Sequence, residues 1–566
     1  MGMVDLKAKP FYLSDEQIAW VEQTIAGMTL EEKIGQLFIN LFTDLSPDKV
    51  KDLLSKYPVG GARYMGADAQ TVYTLINELQ TQTRIPMLVS CNCDSGGNGA
   101  CKDGTYIASA AAVEASGSEK VAYNVGLVSG REAAAIGCNW NFDPCVDILF
   151  NWRNTIVNTR AYGTDAGTVY KYASSYIKGI QQSNIATCVK HFPGDGTEER
   201  DQHLVLGVNE LSVEEWDQSF GKVYQQVIDD GVMTIMAGHI ALPAYSQKLV
   251  PGITYDEIMP ATLAPELITG LLRGQLGFNG LVVTDASHML GMTGAMRRRD
   301  YIPLAIAAGC DMFLFFNDHE EDFNYMLDGY RRGVITEERL TDALYRILGI
   351  KAALNLHQHQ TAGTLMPPRE NLSIIGCQEH LDMASEAADL SITLVKNTKA
   401  QLPISPKTHK RVRLHTLYGE MGGIHSSSNA SEKIIIEELE KAGYEVTLVD
   451  GTTRDKGKVE QYGQDYDAAF VFADIVGYAA ENNYRIRWKC PMSNDIPWYV
   501  WELPTVFISL NYTTHLTDVP MVKTYINAYY NSREVIRQTI AKIAGESDFK
   551  GAYNDLVWCE KWETKR

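Results

Sequence analysis

The feature that most constrains the fold of this chain lies in its first 355 residues, where short apolar runs rich in β-formers alternate with amphipathic helical stretches. Eight runs stand out: IGQLFINLF (34–42), PVGGARYM (58–65), PMLVSC (86–91), GCNWNF (137–142), IATCVK (185–190), VMTIMAGH (232–239), GLVVTD (280–285) and DMFLFF (311–316). Strands separated by helices pair in parallel, with each strand buried beneath its crossover helix. Eight such units fit a closed (β/α)8 TIM barrel better than an open sheet. In a barrel the C-terminal strand ends converge on one mouth, and chemistry is expected there. The runs end at Asn92 to Asp94, at Phe142 and Asp143, at Lys190 and His191, at His239 and at Asp285, so titratable groups recur at that rim.

Residues 1–355 are therefore read as a catalytic barrel domain. Residues 356–376 mix Gly, Pro and polar side chains without periodicity and are read as a linker. Residues 377–566 are read as an α/β sandwich domain: ASEAADLSITLVKN (384–397) and SEKIIIEELEKAGY (431–444) as helical, RVRLHTLY (411–418), YEVTLVD, DAAFVFAD and PTVFISLN as strands. No phosphate loop or dinucleotide fingerprint accompanies these strands.

Charge narrows the partners. A formal net charge of −19 disfavours nucleic acid and anionic membranes and leaves neutral sugars compatible. Met1 to Pro10 holds no apolar h-region, and no run of about 18 apolar residues occurs; the expected location is cytoplasmic. Ten cysteines are too few for a disulfide-built scaffold, and they read as buried thiols. Cys91 and Cys93 come closest to a metal pair but have no second pair nearby, so neither metal nor cofactor is expected.

Two segments carry chemistry. KHFPGDGTEERDQH (190–203) leaves a strand with Lys190 and His191, passes Gly194 and Gly196, and presents Asp201-x-His203 on a loop. A carboxylate beside an imidazole orients it and raises its basicity, which suits general acid/base work near neutral pH. The same pattern also suits a solvated loop, and the two glycines with little apolar material suggest a loop that moves. GFNGLVVTDASHMLGM (277–292) ends its strand with Asp285. A carboxylate held rigidly at the mouth can attack an anomeric carbon, although a strand-terminal Asp also serves to cap the next helix.

Together these segments resemble glycoside hydrolase family 3, in its β-N-acetylglucosaminidase branch. MTLEEKIGQLF (28–38), NFDPCVDI (141–148), NTRAYGTD (158–165), LAPELITGLLRGQLGFNGLVVTDA (263–286) and AIAAGCDMF (305–313) extend the likeness over most of the barrel, and ASEAADLSITLVKN with ESDFKGAYND extends it into the second domain. The resemblance implies a retaining exo-β-N-acetylglucosaminidase. Asp285 would be its nucleophile, His203 oriented by Asp201 its acid/base, and Arg160, Lys190 and His191 would hold sugar hydroxyls. The family's β-glucosidases take the acid/base glutamate from elsewhere and follow the nucleophile with Trp; here Ala286 follows it. Asp195 stands where the branch usually has a second His, and NCDSGGNG carries one residue more than the usual D-x-E-G-G, which makes Asp94 the best candidate for the sugar-binding carboxylate. The nearest rival reaction is a phosphorylase, since an imidazole in place of a second carboxylate lessens repulsion of inorganic phosphate. A β-glucosidase or β-xylosidase and a non-catalytic sugar-binding protein follow. The second domain would wall the active-site mouth or mediate a homo-oligomer, and the sequence leaves that choice open.

Overall fold

The computed structural model describes residues 4–419, 430–449, 451, 458–475, 484–488 and 495–566. The chain forms two compact units, Met1–Tyr106 with Ala122–Ile148 and Asp165–His380, and Ile107–Val121 with Leu149–Thr164 and Leu381–Arg566.

The first unit is built on a closed parallel barrel of β1 (Phe38–Phe42), β2 (Gly61–Tyr64), β3 (Leu88–Cys91), β4 (Trp140–Asn141), β5 (Ala186–Phe192), β6 (Thr234–Ala237), β7 (Leu281–Ala286) and β8 (Met312–Leu314). The strands follow chain order around the barrel and β8 closes on β1. Each expected run holds one strand. The first run is shortened because Ile34 to Gln36 finish the helix Leu30–Gln36, whose capping box between Thr29 and Glu32 supplies two of its orphan N–H groups with partners. Strand β5 is buried along its whole length, Lys190 and His191 included. A polar strand end inside a barrel must find partners, and those partners make the site described below.

Opposite the mouth, ion pairs close the barrel floor. Asp311, just before β8 and fully buried, meets Arg273 at 2.7 Å, accepts from the Val282 N–H at 2.8 Å and pairs with Arg339. This face serves stability, as is usual for the N-terminal end of such barrels.

The second unit carries a six-stranded sheet of β9 (Thr393–Asn397), β10 (Arg411–Tyr418), β11 (Glu445–Val449), β12 (Ala468–Asp474), β13 (Thr505–Ser509) and β14 (Thr524–Asn527), in the order β9-β14-β13-β12-β10-β11. Only the β9 and β14 pair is antiparallel. Alternation along the strands feeds two cores. Val412, Leu414, Phe470 and Phe472 pack with Ile435, Leu439, Ile536 and Ile540, while Leu417, Ala469, Val471 and Phe507 pack with Ile496, Tyr499 and Leu516. The stretch 384–397, read as helical throughout, is helix only to Ser391; the β-branched and apolar ITLV beyond it forms the edge strand β9.

The division of the chain differs from a cut at residue 355 followed by a linker. Residues 356–376 are ordered on the first unit: Leu356–Ala362 is helical, Gln360 reaches Thr83 O at 3.0 Å, and Tyr73 donates to Pro367 O at 2.7 Å. Conversely, two segments of the N-terminal half belong to the second unit. Leu149, Ile156, Val157 and Ala161 pack with Leu556, Trp152 clusters with Tyr484 and Tyr512, and Ala115 O accepts from Ala552 N–H at 2.8 Å. Among the described residues no helix is long and apolar enough to cross a membrane.

Candidate active site

Strand β5 delivers two buried polar side chains, each to its own carboxylate. Lys190 Nζ lies 2.7 Å from Asp143 Oδ1, two residues beyond β4, and also donates to Phe142 O. His191 Nδ1 lies 2.7 Å from Asp147 Oδ2. Asp147 is a hub, since it also accepts from the N–H of His191 at 3.2 Å, the N–H of Asp195 at 2.8 Å and the Cys145 thiol at 2.9 Å. Burial would raise its carboxyl, but the imidazole and these donors outweigh that and hold it below the usual carboxylate range. With Nδ1 bound to a carboxylate, His191 turns Nε2 toward Asp285, 3.9 Å from its Oδ2.

Asp285 is the penultimate residue of β7, its side chain 13% exposed. Oδ1 accepts from the Ala286 N–H at 2.7 Å. Burial works to raise this carboxyl; the electrostatic influence of the neighbouring imidazoles, His191 first and then His239 and His203, and that hydrogen bond overcome it and lower it. The group is thus an anion aimed at the mouth, the state a nucleophile needs. His239, just after β6, braces the same strand end. Its Nε2 donates to Ala286 O at 3.0 Å, its Nδ1 accepts from the Thr262 hydroxyl at 2.9 Å, and burial keeps it below the usual imidazole range against the pull of Asp285.

The loop after β5 brings the dyad. Asp201 is buried, and its Oδ1 lies 2.6 Å from His203 Nδ1 while also accepting the His203 N–H at 2.8 Å. The imidazole is 23% exposed, so Nε2, on the ring edge away from Asp201, is left for a reacting proton. His203 is close enough to Asp285 for its charge to favour the Asp285 anion. In this conformation the loop has anchors at both ends. Gly194 O accepts from Asn209 Nδ2 at 3.0 Å, and His203 O accepts from Leu290 N–H at 3.0 Å. Gly194 has φ of +122° and lies against Phe220, where a Cβ would fall 2.2 Å from Cδ1, so the turn requires glycine there.

The sequence profile of the Glycosyl hydrolase family 3 N terminal domain matches residues 29–350, more than half of the chain. The chain belongs to glycoside hydrolase family 3. A β-N-acetylglucosaminidase/β-glucosidase of Cellulomonas fimi is 40% identical over 99% of this chain and 100% of that protein. The structure of a β-glucoside phosphorylase, BglX, bound to 2FGlc superposes with a TM-score of 0.92, at 38% identity, over 97% of this chain and 98% of that one. A family 3 β-N-acetylglucosaminidase from Paenibacillus sp. str. FPU-7 shares the fold at a TM-score of 0.76 and 24% identity, over 93% of this chain and 98% of that one.

In this family 3 barrel, Lys190, His191, Asp201, His203 and Asp285 thus stand on neighbouring strand ends and loops, β5 to β7. Asp94 follows β3 on the same rim and is half-buried. Arg160 is buried within the second unit, in the segment Leu149–Thr164. The residue-level reading placed Asp143 at the rim without its partner Lys190 and passed over Asp147, although both lie in NFDPCVDI. The signal was two carboxylates just past a strand end, next in the barrel to a strand ending in Lys-His, since buried cations there need partners. Cys91 and Cys93 are buried thiols 3.5 Å apart. Cys145, Asp147 and His191 are the one group of the described residues whose donor atoms, within 4.8 Å of each other, could surround a cation, and those atoms already bond one another.

Proposed function

We propose that this family 3 enzyme cleaves terminal β-linked glucose or N-acetylglucosamine by double displacement through Asp285, and that inorganic phosphate is the preferred acceptor in the second step. The observation that carries the reading is the Asp201–His203 pair at 2.6 Å, in which the only group facing the mouth is an imidazole. In the first step His203 gives its Nε2 proton to the leaving oxygen as the C1–O bond breaks, while an Asp285 oxygen bonds to C1. In the second, an unprotonated oxygen of HPO4²⁻ bonds to C1 and the Asp285 ester breaks, which yields a sugar 1-phosphate of retained configuration, whose remaining phosphate proton returns to His203 Nε2 and resets the acid. Water must lose a proton to become an effective nucleophile; the phosphate dianion need not. The spent acid/base is then a neutral ring, with the negative charge of the pair set back on Asp201 behind it, so an incoming anion meets less repulsion than a glutamate would exert. The names of two relatives, a β-N-acetylglucosaminidase/β-glucosidase at 40% identity and a β-glucoside phosphorylase at 38%, support both sugars and the phosphate acceptor.

Simple hydrolysis is the second reading, supported by the first of those names. Nitrophenyl β-glucoside and β-N-acetylglucosaminide, each assayed with and without phosphate, decide between them. The phosphorolytic reading expects sugar 1-phosphate to outrun free sugar at millimolar phosphate. Free sugar alone, at a rate indifferent to phosphate, would establish the hydrolase.

A further inference from the structure

We infer that Gln202, the residue between the two members of the dyad, is the positioning residue that sets His203 against Asp285. The inference rests on the acid/base role proposed above for His203.

Its side chain is 1% exposed, and its amide meets two different loops. Oε1 accepts the His239 N–H at 2.8 Å, just past the end of β6, and Nε2 reaches Asp195 Oδ2 at 3.5 Å, beyond the end of β5. Its backbone carbonyl accepts the Gly291 N–H at 3.1 Å, six residues after Asp285, and the next carbonyl, that of His203, accepts from Leu290. The contact with Gly291 is intimate, since a Cβ there would lie 2.8 Å from Gln202 O and 3.0 Å from the His239 Cβ. Three consecutive loops, those after β5, β6 and β7, thus meet at one residue, the first two through its side-chain amide and the third through its backbone carbonyl.

The consequences extend toward His191, Asp285 and the dyad. Asp195, at the Nε2 end, gives its own N–H to Asp147, the carboxylate that orients His191. His239, at the Oε1 end, holds the carbonyl that follows Asp285. The dyad sits on the same residue's flanks. A side chain here must donate at one end and accept at the other, carry no charge, and span the gap. Glutamine meets all of these; glutamate would set a carboxylate against Asp195, and asparagine would be one methylene short. A misplacement of about 1 Å in a catalytic group costs about 10²-fold; Asp201 and His203 are bonded directly to Gln202 while Asp285 and His191 are reached only through intermediate residues, so the proton transfer is the step most exposed to its loss.

The test compares cleavage of an unactivated β-disaccharide with that of a dinitrophenyl β-glycoside, which needs no acid. Gln202→Ala is expected to slow the disaccharide about 10- to 100-fold and the dinitrophenyl substrate less than about threefold, with the acid/base limb of the pH profile displaced. Equal losses on both substrates, or none on either, would overturn the inference. Should Gln202→Ala fail to fold, Gln202→Glu gives a second route. It is expected to reproduce the selective loss through repulsion from Asp195, and Asp195→Asn in the same chain is expected to restore the rate, because an amide donor then faces the new carboxylate. No recovery in the double variant also overturns it. His203→Ala, measured alongside, separates the two ideas: a leaving-group effect there but not at Gln202 sinks only the positioning role, while its absence at His203 sinks the acid/base reading beneath it.

Discussion

At the scale of single residues, the site depends on burial being answered by a partner. His203 is the acid in the proposed cycle, so His203→Ala is expected to slow an unactivated disaccharide by about 10²- to 10⁴-fold, and a dinitrophenyl glycoside far less. Asp201→Ala should show the same pattern more weakly, because it removes only the group bound to Nδ1. Initial rates on the two substrates decide it; equal losses would make His203 a sugar-binding group. A second buried cation has no such partner. Lys351 is fully buried with only Gln36 Oε1 at 2.7 Å, and burial lowers its pKa to about 7. Between about pH 7 and 10.5 the unfolded chain binds a proton that the folded chain has shed, so this residue makes stability rise with pH across that window. Below about pH 7 the buried ammonium is fully charged and its penalty complete. Lys351→Met is therefore expected to stabilise the fold by about 1–3 kcal/mol at pH 6, with the gain fading toward pH 10. Thermal unfolding at both pH values checks this, and a gain equal at the two would contradict it.

At the scale of elements, the eight strands were legible because each is a short apolar run between turn residues and helices, and the barrel follows from their number. Their ends were legible too, which is why Lys190, His191 and Asp285 could be named. The partners were not, because Asp143 and Asp147 meet β5 only once β4 pairs beside it, a contact distant in sequence that no local pattern encodes. The anchors of the dyad loop were illegible for a related reason. Gly194 is required by the Phe220 ring against it, and one anchor, Leu290, lies far along the chain. Gly194→Ala is expected to cost about 2–4 kcal/mol, since it combines a positive φ with a clash against a buried ring. The displaced loop should also depress disaccharide cleavage. Chemical denaturation checks the first effect, and an unchanged midpoint would show that the loop yields easily.

At the scale of the whole molecule, the barrel and the mixed sheet were both readable, and their boundary was not. Local composition suggested a linker at 356–376, yet polar residues there cover the barrel unit, while Leu149 to Thr164 joins the other unit through apolar contacts with Leu556. Sequence pattern reports which faces are apolar and is silent on which distant segment covers them. Membership in glycoside hydrolase family 3 ties the whole together, and the central claim is that the intact enzyme passes its substrate through an ester on Asp285. The most direct measurement is mass spectrometry of the full chain after reaction with an activated 2-deoxy-2-fluoro glycoside, followed by peptide mapping. The account predicts a gain of one fluorosugar, located on the peptide LVVTDASHM at Asp285 and lost again faster when phosphate is added. A label on any other carboxylate, or turnover of the reagent with no covalent species, would contradict it.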